Sequence, residues 1–291
     1  MSDARSVDFQ ADLRHFLLCV SLMTLESTTQ EFTSWRNYWN FARVVSREYR
    51  FIRPPLIEAF LKTVRLTSES RREQIPAGNI FWRAQAGHAW RPIGNGIDDE
   101  IPCAHPTSRM KPLLDRASDG RANPRGIPCL YLATTKEAAM SEVRPWIGSY
   151  VSAGQFKTIR PLTVINCARR YNQSPFFMRL DDFNYEPPAD ERSEAVWTHI
   201  DQAFAKPMTR TDDQADYAPT QILAELFKES GADGVVYKSN FGNEGFNIAL
   251  FDPNDAKLTC CGLFKVKGVQ MTFSEEDEFY YVREQATDNA S

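Results

Sequence analysis

What this chain lacks narrows its chemistry first. Its longest apolar run, FLLCVSLM at 16–23, is far shorter than the roughly 20 residues a membrane-spanning helix needs. Asp3, Asp8 and Asp12 precede that run and no small-residue cleavage site follows, so it makes a poor signal peptide, and a cytoplasmic protein is expected. Histidine is scarce: His15, His88, His105 and His199 show neither HxxxH nor HExxH spacing. The six cysteines include one adjacent pair, Cys260 and Cys261, but no CxxC, so neither a zinc site nor a secreted disulfide framework fits. An excess of one charge is missing too. With 34 Lys and Arg against 38 Asp and Glu, the net charge of −4 supplies no basic face for general nucleic-acid binding. GNEG at 242–245 lacks the GK[ST] of a P-loop, and no GxGxxG is present, which argues against a nucleotide triphosphatase and a dehydrogenase. No internal repeat is visible.

What is present is the composition of a folded protein: 291 residues, 42% hydrophobic and 12% aromatic, enough for one large domain or two small ones. The N-terminal part reads as helical. Phe9, Leu13, Phe16, Leu17 and Val20 recur at helical spacing, then Phe32, Trp35, Trp39, Ala42 and Tyr49, then Leu56, Ile57, Phe60, Leu61 and Val64 after the breaker Pro54-Pro55. TSESRREQIPAGN at 67–79 reads as a linker. From residue 80 short β-favouring segments dominate: IFWRAQ (80–85), CLYLA (129–133), LTVINC (162–167), GVVYKS (234–239), NIALF (247–251) and LFKVKGVQMTF (263–273). Helices are expected after Thr134, with Thr134 and Glu137 as a capping box and Pro145 as the stop, at 193–206, and at 219–230 with Gly231 just past the end. The reading is an α+β body over 76–275, a helical segment over 1–75 and an acidic tail over 276–291.

Four side chains stand out from this pattern. Arg83 is a cation in an otherwise apolar and aromatic strand; it is either an edge residue reaching solvent or a fork of donors aimed at phosphate. Glu142 closes a small helix rich in alanine, and Tyr131, which alternation turns away from Leu130 and Leu132, is expected to be exposed nearby. Glu142 is either a solvated acid paired with Arg144 or Lys136, or one wall of a pocket that clamps a flat heterocycle and stabilises a cationic sugar. Ser239 either starts a turn or offers its hydroxyl to a ligand at the end of a strand.

The order and wording of three blocks, FWRAQ, then GRANPRGIPCLYLATTKEAAMSEVRPW, then DYAPTQILAELFKESGADGVVYKSNFGNEGFNIALF, closely resemble the RES domain family, over about residues 78 to 252. The family takes its name from an arginine, a glutamate and a serine, which fall here on Arg83, Glu142 and Ser239. The resemblance implies a compact mixed-β fold like that of ADP-ribosyltransferase toxins, preceded here by a helical extension. It implies a bacterial toxin that destroys NAD+ by cutting the nicotinamide–ribose bond, restrained by an antitoxin or immunity protein. It implies no resident cofactor, NAD+ as substrate, inorganic phosphate as a candidate co-substrate, and no nucleic-acid or membrane partner. Arg121 and Tyr131 match the family's site pattern as well, so Arg83, Arg121, Tyr131 and Ser239 are expected on the substrate and Glu142, Arg83 and Ser239 in catalysis. Gln221 and Asn247 are lesser candidates. Ala122, where a bulkier residue is common, and Asn240, where a second serine is frequent, depart from the pattern without removing a group the chemistry needs. Transfer of ADP-ribose to a protein target and a nucleotide-sensing module are the rival readings.

Overall fold

The computed structural model describes residues 31–94, 97–113, 116–169, 185–207, 214–241 and 245–270. The helix expected over Phe9 to Val20, the acidic tail and residues 242–244 of GNEG lie outside them.

An eight-stranded sheet carries the molecule. Its strands are β1 (Arg72–Ile75), β2 (Ile80–Ala86), β5 (Leu130–Ala133), β6 (Tyr150–Thr158), β7 (Leu162–Asn166), β8 (Gly234–Lys238), β9 (Phe246–Leu250) and β10 (Ala256–Lys265). They lie in the order β1-β7-β8-β9-β5-β2-β6-β10, all antiparallel except the β7–β8 pair. A separate exposed hairpin joins β3 (Ala89–Gly94) to β4 (Ile97–Cys103). The helices are α1 (Asn37–Arg47), α2 (Pro55–Ser68), the single turn α3 (Thr107–Met110), α4 (Lys136–Glu142), α5 (Ala189–Ala205) and α6 (Ala218–Glu229). Among the described residues no helix is long and apolar enough to cross a membrane.

Strand alternation sorts the sheet's side chains between two cores. One face packs against α1, α2, α5 and α6: Phe41, Phe60, Trp197, Phe204 and Phe227 meet Ile165, Val235, Tyr237 and Ala249 in one buried cluster. Phe41 stacks on Phe60 with ring centroids 4.7 Å apart, and Phe204 on Tyr237 at 5.6 Å. Trp35, with the helices at its back, is buried, whereas Trp39 stays half exposed. The N-terminal helices therefore share their core with the body. On the other face Ile75 of the edge strand β1 and Ala256 of the opposite edge strand β10 fall into one cluster with Phe81, Leu132, Phe156 and Val164. Both edges can reach one core only if the sheet is rolled, so the second face closes largely on itself.

Several boundaries differ from the sequence reading. The expected linker holds the last turn of α2 and the edge strand β1, which pairs with β7 from Arg72 opposite Ile165 to Ile75 opposite Leu162. The cap of α4 is Thr135, whose hydroxyl accepts from Ala138 N–H, while Thr134 accepts from Phe246 N–H at 3.0 Å and ties the helix start to β9. The last strand begins at Ala256 and ends at Lys265, earlier on both counts than expected.

Candidate active site

Four of the five expected site residues line one cleft of about 270 Å³: Arg83, Arg121, Tyr131 and Glu142. Ser239 stands beside it, its Oγ 3.5 Å from Glu142 Oε1. The cleft opens on the helix-covered face of the sheet, where Ala133 and Ala249 flank Asn247 and Tyr131 across the β5–β9 ladder and leave room.

Glu142 is the final residue of α4, a helix of seven residues. Its small inward residues Ala138 and Ala139 are buried against the sheet, which lets the helix lie close. The chain then turns out at once, since Arg144 adopts a left-handed φ of 46° ahead of Pro145. The carboxylate is held neither by Arg144 nor by Lys136. Its Oε1 accepts from Asn247 Nδ2 at 2.6 Å, and its Oε2 lies 3.9 Å from Arg121 Nη1. With a quarter of its side chain exposed (26%), it faces the cleft as a positioned anion rather than a solvated one.

Arg121 rides on a loop pinned from several directions. Gly120 and Asn123 bridge one another, and Gln221 on α6 donates to both of their carbonyls at 3.0 Å. Asn123 Nδ2 donates to the carbonyls of Ser118, Pro124 and Ile127. Tyr131, expected to be exposed, is half-buried and its hydroxyl is engaged. It donates to Asn123 Oδ1 at 2.7 Å and accepts from Ala122 N–H at 2.9 Å. Burial holds its phenol well above the ordinary value, so it remains a neutral donor. A Cβ on Gly120 would overlap that hydroxyl and stand 2.7 Å from Asn123 Oδ1, which accounts for glycine here. Tyr237 lines the cleft beside Arg121; burial raises its phenol and the charge of the arginine pulls the other way.

Arg83 lies in β2, between β5 and β6, and is no edge residue. Strands β2 and β5 are joined at one position, Trp82 opposite Ala133. Across that opening Arg83 Nη1 donates to the Tyr131 carbonyl at 3.0 Å. Its Nε is buried and has no hydrogen-bond partner among the described residues. Burial lowers the guanidinium to about 10, which leaves it charged at neutral pH. A desolvated cation with an unmatched donor in a cleft wall is a ready anion site.

Ser239, 2% exposed, follows β8. Its Oγ accepts from Phe241 N–H at 3.1 Å and its own N–H donates to Gly245 O at 3.0 Å, so the β8–β9 connection folds back on itself. A Cβ on Gly245 would stand 2.9 Å from that of Ala138, so glycine lets this turn press against α4. That contact brings Ser239 to the carboxylate. The sequence underrated Asn247, which is the nearest polar partner of Glu142, and missed Tyr237 and Asn123. Gln221 satisfies backbone carbonyls of the Arg121 loop.

No curated protein matches the chain. Among solved structures, the crystal structure of the M. tuberculosis MbcT–MbcA toxin–antitoxin complex is similar at 16% identity and a TM-score of 0.38, covering 69% of this chain and 92% of that one. A family model for the RES domain matches residues 80–262, which take in β2 with Arg83, the Arg121 loop, α4 with Glu142 and β8 with the adjoining Ser239. Since that match spans more than half of the 291 residues, the chain belongs to the RES domain family.

Proposed function

We propose that this protein cleaves the nicotinamide–ribose bond of NAD+, passing the ADP-ribosyl group to water or to inorganic phosphate, and that it is the toxin of a toxin–antitoxin pair whose partner restrains that activity. The observation that carries the reading is one carboxylate, Glu142, fixed by Asn247 and Arg121 beside the buried, under-partnered Arg83.

Cutting the bond expels neutral nicotinamide and leaves positive charge on the ribose, so the group that matters most is an anion placed where that charge develops. Glu142 is that anion. At an effective dielectric near 20, a unit charge about 4 Å away is worth roughly 4 kcal/mol, or about a thousandfold in rate if it acts on the transition state alone. Asn247 holds one oxygen of the carboxylate at 2.6 Å and so orients the other toward the sugar. Arg83 and Arg121 supply donors for the pyrophosphate, and the ring of Tyr131 walls the cleft where the nicotinamide would lie. Ser239, engaged in its own turn and 3.5 Å from Glu142, belongs with the groups that keep the carboxylate in place.

Nicotinamide release from NAD+ by purified protein, with and without phosphate and beside Glu142→Gln, tests the reading. Release that needs Glu142 supports it, and its dependence on phosphate names the acceptor. Transfer of ADP-ribose to a discrete protein without bulk NAD+ loss would move the assignment to a transferase. Binding of NAD+ without turnover would move it to a sensor.

A further inference from the structure

The chain around Ser239 is wedged between two helices. On one side is α5, whose last residue, Ala205, has a carbonyl beyond the helix's own hydrogen-bond ladder. Asn240 Nδ2 donates to that carbonyl at 3.0 Å. One turn earlier in α5, Asp201 Oδ1 accepts from Lys238 N–H at 2.9 Å. Ser239 is therefore tied to α5 through the residue on each side of it. On the other side is α4, where Gly245 closes on Ala138 and Ser239 Oγ lies 3.5 Å from Glu142 Oε1.

We propose that Asn240 is a positioning residue for the reaction: by tying the Ser239 segment to the end of α5, it sets where α4 and the Glu142 carboxylate stand. The assignment rests on the NAD+-cleaving reading above and adds to it a residue outside the lining of the cleft.

Two features make the placement of this segment matter. Ser239 Oγ has one proton to give and two acceptors in reach, Glu142 Oε1 at 3.5 Å and the Phe241 carbonyl at 3.2 Å. A small movement of the segment decides whether the hydroxyl serves the carboxylate or its own turn. The second feature is packing. A Cβ on Gly245 would stand 2.9 Å from that of Ala138, so the segment and α4 touch without slack and a shift in one displaces the other. The two ties to α5 differ in kind. Before Ser239 the donor is the backbone N–H of Lys238, which any residue but proline would supply. After Ser239 it is a side chain, so this tie depends on what stands at position 240. A serine there is one atom shorter than the asparagine amide and falls short of the Ala205 carbonyl. An aspartate has the length but no proton to donate. Asn240 is itself exposed, so its hydrogen bond adds little to stability and its loss leaves the fold in place.

The test follows nicotinamide release from NAD+ by the full chain and by Asn240→Ser, Asn240→Asp and Asn240→Gln, with thermal melting alongside. Asn240→Ser and Asn240→Asp should lower kcat about five- to tenfold and leave KM within about twofold, since the displaced carboxylate acts on the transition state. Asn240→Gln keeps an amide donor and should recover most of that loss. Melting temperatures should stay within about two degrees of wild type. A lowered melting temperature with kcat unaltered would make Asn240 a cap of α5 alone and overturn the proposal. Hydrogen exchange in peptides covering α4, read by mass spectrometry, needs no turnover. It should quicken in Asn240→Ser and not in Asn240→Gln. Quickened exchange in a protein that releases no nicotinamide overturns the cleavage reading and leaves the tie between Asn240 and α4 standing. Unaltered exchange with unaltered kcat overturns the tie and leaves NAD+ cleavage in place.

Discussion

Two arginines, set at different places on the rolled sheet, show how the molecule separates charges that hold the fold from charges held ready for a ligand. Arg160, just after β6, is saturated. It donates through Nε and Nη2 to Asp255 at 2.8 and 2.9 Å, through Nη2 to Asp233 at 2.7 Å, and through Nη1 to the Pro161 carbonyl. Those carboxylates precede β10 and β8, so one guanidinium clips together three connections of the sheet. The Asp233 and Asp255 hydrogen bonds hold its proton more firmly than usual despite some desolvation. Arg83 is the opposite case: buried, pushed down to about 10 by that burial, with one bond to a carbonyl and an Nε left unmatched. A fold that can match one arginine so fully leaves a donor of Arg83 unmatched in the cleft wall, where the anionic substrate proposed above would supply the missing partner.

The largest expected effect is at the anion of that cleft. Glu142→Gln keeps shape and removes charge, so nicotinamide release should fall about a thousandfold. Its partly exposed position predicts a melting temperature within a few degrees of wild type. A loss of less than tenfold, measured on folded protein, would mean the carboxylate does not face the reacting sugar.

Lysine substitution of each arginine sharpens the comparison itself. Arg83→Lys removes the planar fork while keeping the charge, and should lower kcat/KM for NAD+ by about 10- to 100-fold, the worth of one or two charge-assisted bonds. Arg160→Lys should leave nicotinamide release as it is and lower stability by about 1 kcal/mol in urea unfolding, since that cluster is half open to solvent. Equal activity losses in the two variants would erase the distinction.

Carboxylates divide in the same way, and pH reads the division. Burial raises Asp201 to about 6, although it accepts from Lys238 N–H at 2.9 Å and senses Arg71. The unfolded value is about 3.9, so the folded state holds the proton more tightly, and stability falls as pH rises from about 4 to about 6. Asp201→Asn keeps the acceptor and removes that slope, so the variant should match wild type at pH 4 and exceed it at pH 7 by on the order of 2 kcal/mol. Around Arg160 the two signs oppose. Asp233 is lowered, because its bonds to Arg160 and Thr163 N–H outweigh burial, whereas Asp255 is raised because burial outweighs its bonds. The first contributes stability that is lost as pH falls through its folded value, the second gains on protonation, and little net slope should remain. A difference between Asp201→Asn and wild type that is the same at pH 4 and 7 would refute the burial account.

How much of this was legible in the sequence follows from what each element shows to solvent. Helices with wide apolar faces, such as α2 and α6, and strands with β-branched or aromatic cores, such as β7 and β8, were readable within a residue or two. Strand β6 was not, although it pairs with both β2 and β10, because YVSAGQFKT carries small residues where close packing demands them. A Cβ on Gly154 would stand 2.6 Å from Leu258 Cδ1 and 3.1 Å from the Cys260 carbonyl oxygen, so the glycine that weakens the strand signal also eases the close approach of β10. The edge strand β1 is short and polar, and the β3–β4 hairpin carries Pro92 and Pro102 inside its strands, so both resemble loops. In the site, Arg83, Tyr131, Glu142 and Ser239 stood out within their own segments, but they and Arg121 sit on three separate blocks of chain, and the resemblance to the RES family is what added Arg121 and joined them into one site. Asn247 was hard to rank because an asparagine in a strand more often satisfies backbone than a carboxylate.

The smallest effect concerns how the Arg121 loop is held, and it separates positioning from chemistry. Tyr131→Phe removes one hydroxyl and nothing of the ring that walls the cleft. Ala122, 6% exposed, would then keep an N–H without its partner, and Asn123 Oδ1 would lose its donor. One buried backbone donor left unmet costs about 1–3 kcal/mol, softened here because Gln221 and the Asn123 amide still pin the loop. Stability in urea should fall by about 1 kcal/mol. The Arg121 guanidinium, freed to drift from Glu142, should raise KM for NAD+ about threefold with kcat nearly constant, the signature of ground-state binding. A fall in kcat instead, with KM unchanged, would place the tyrosine hydroxyl in the bond-breaking step and make Tyr131 a catalytic group in its own right.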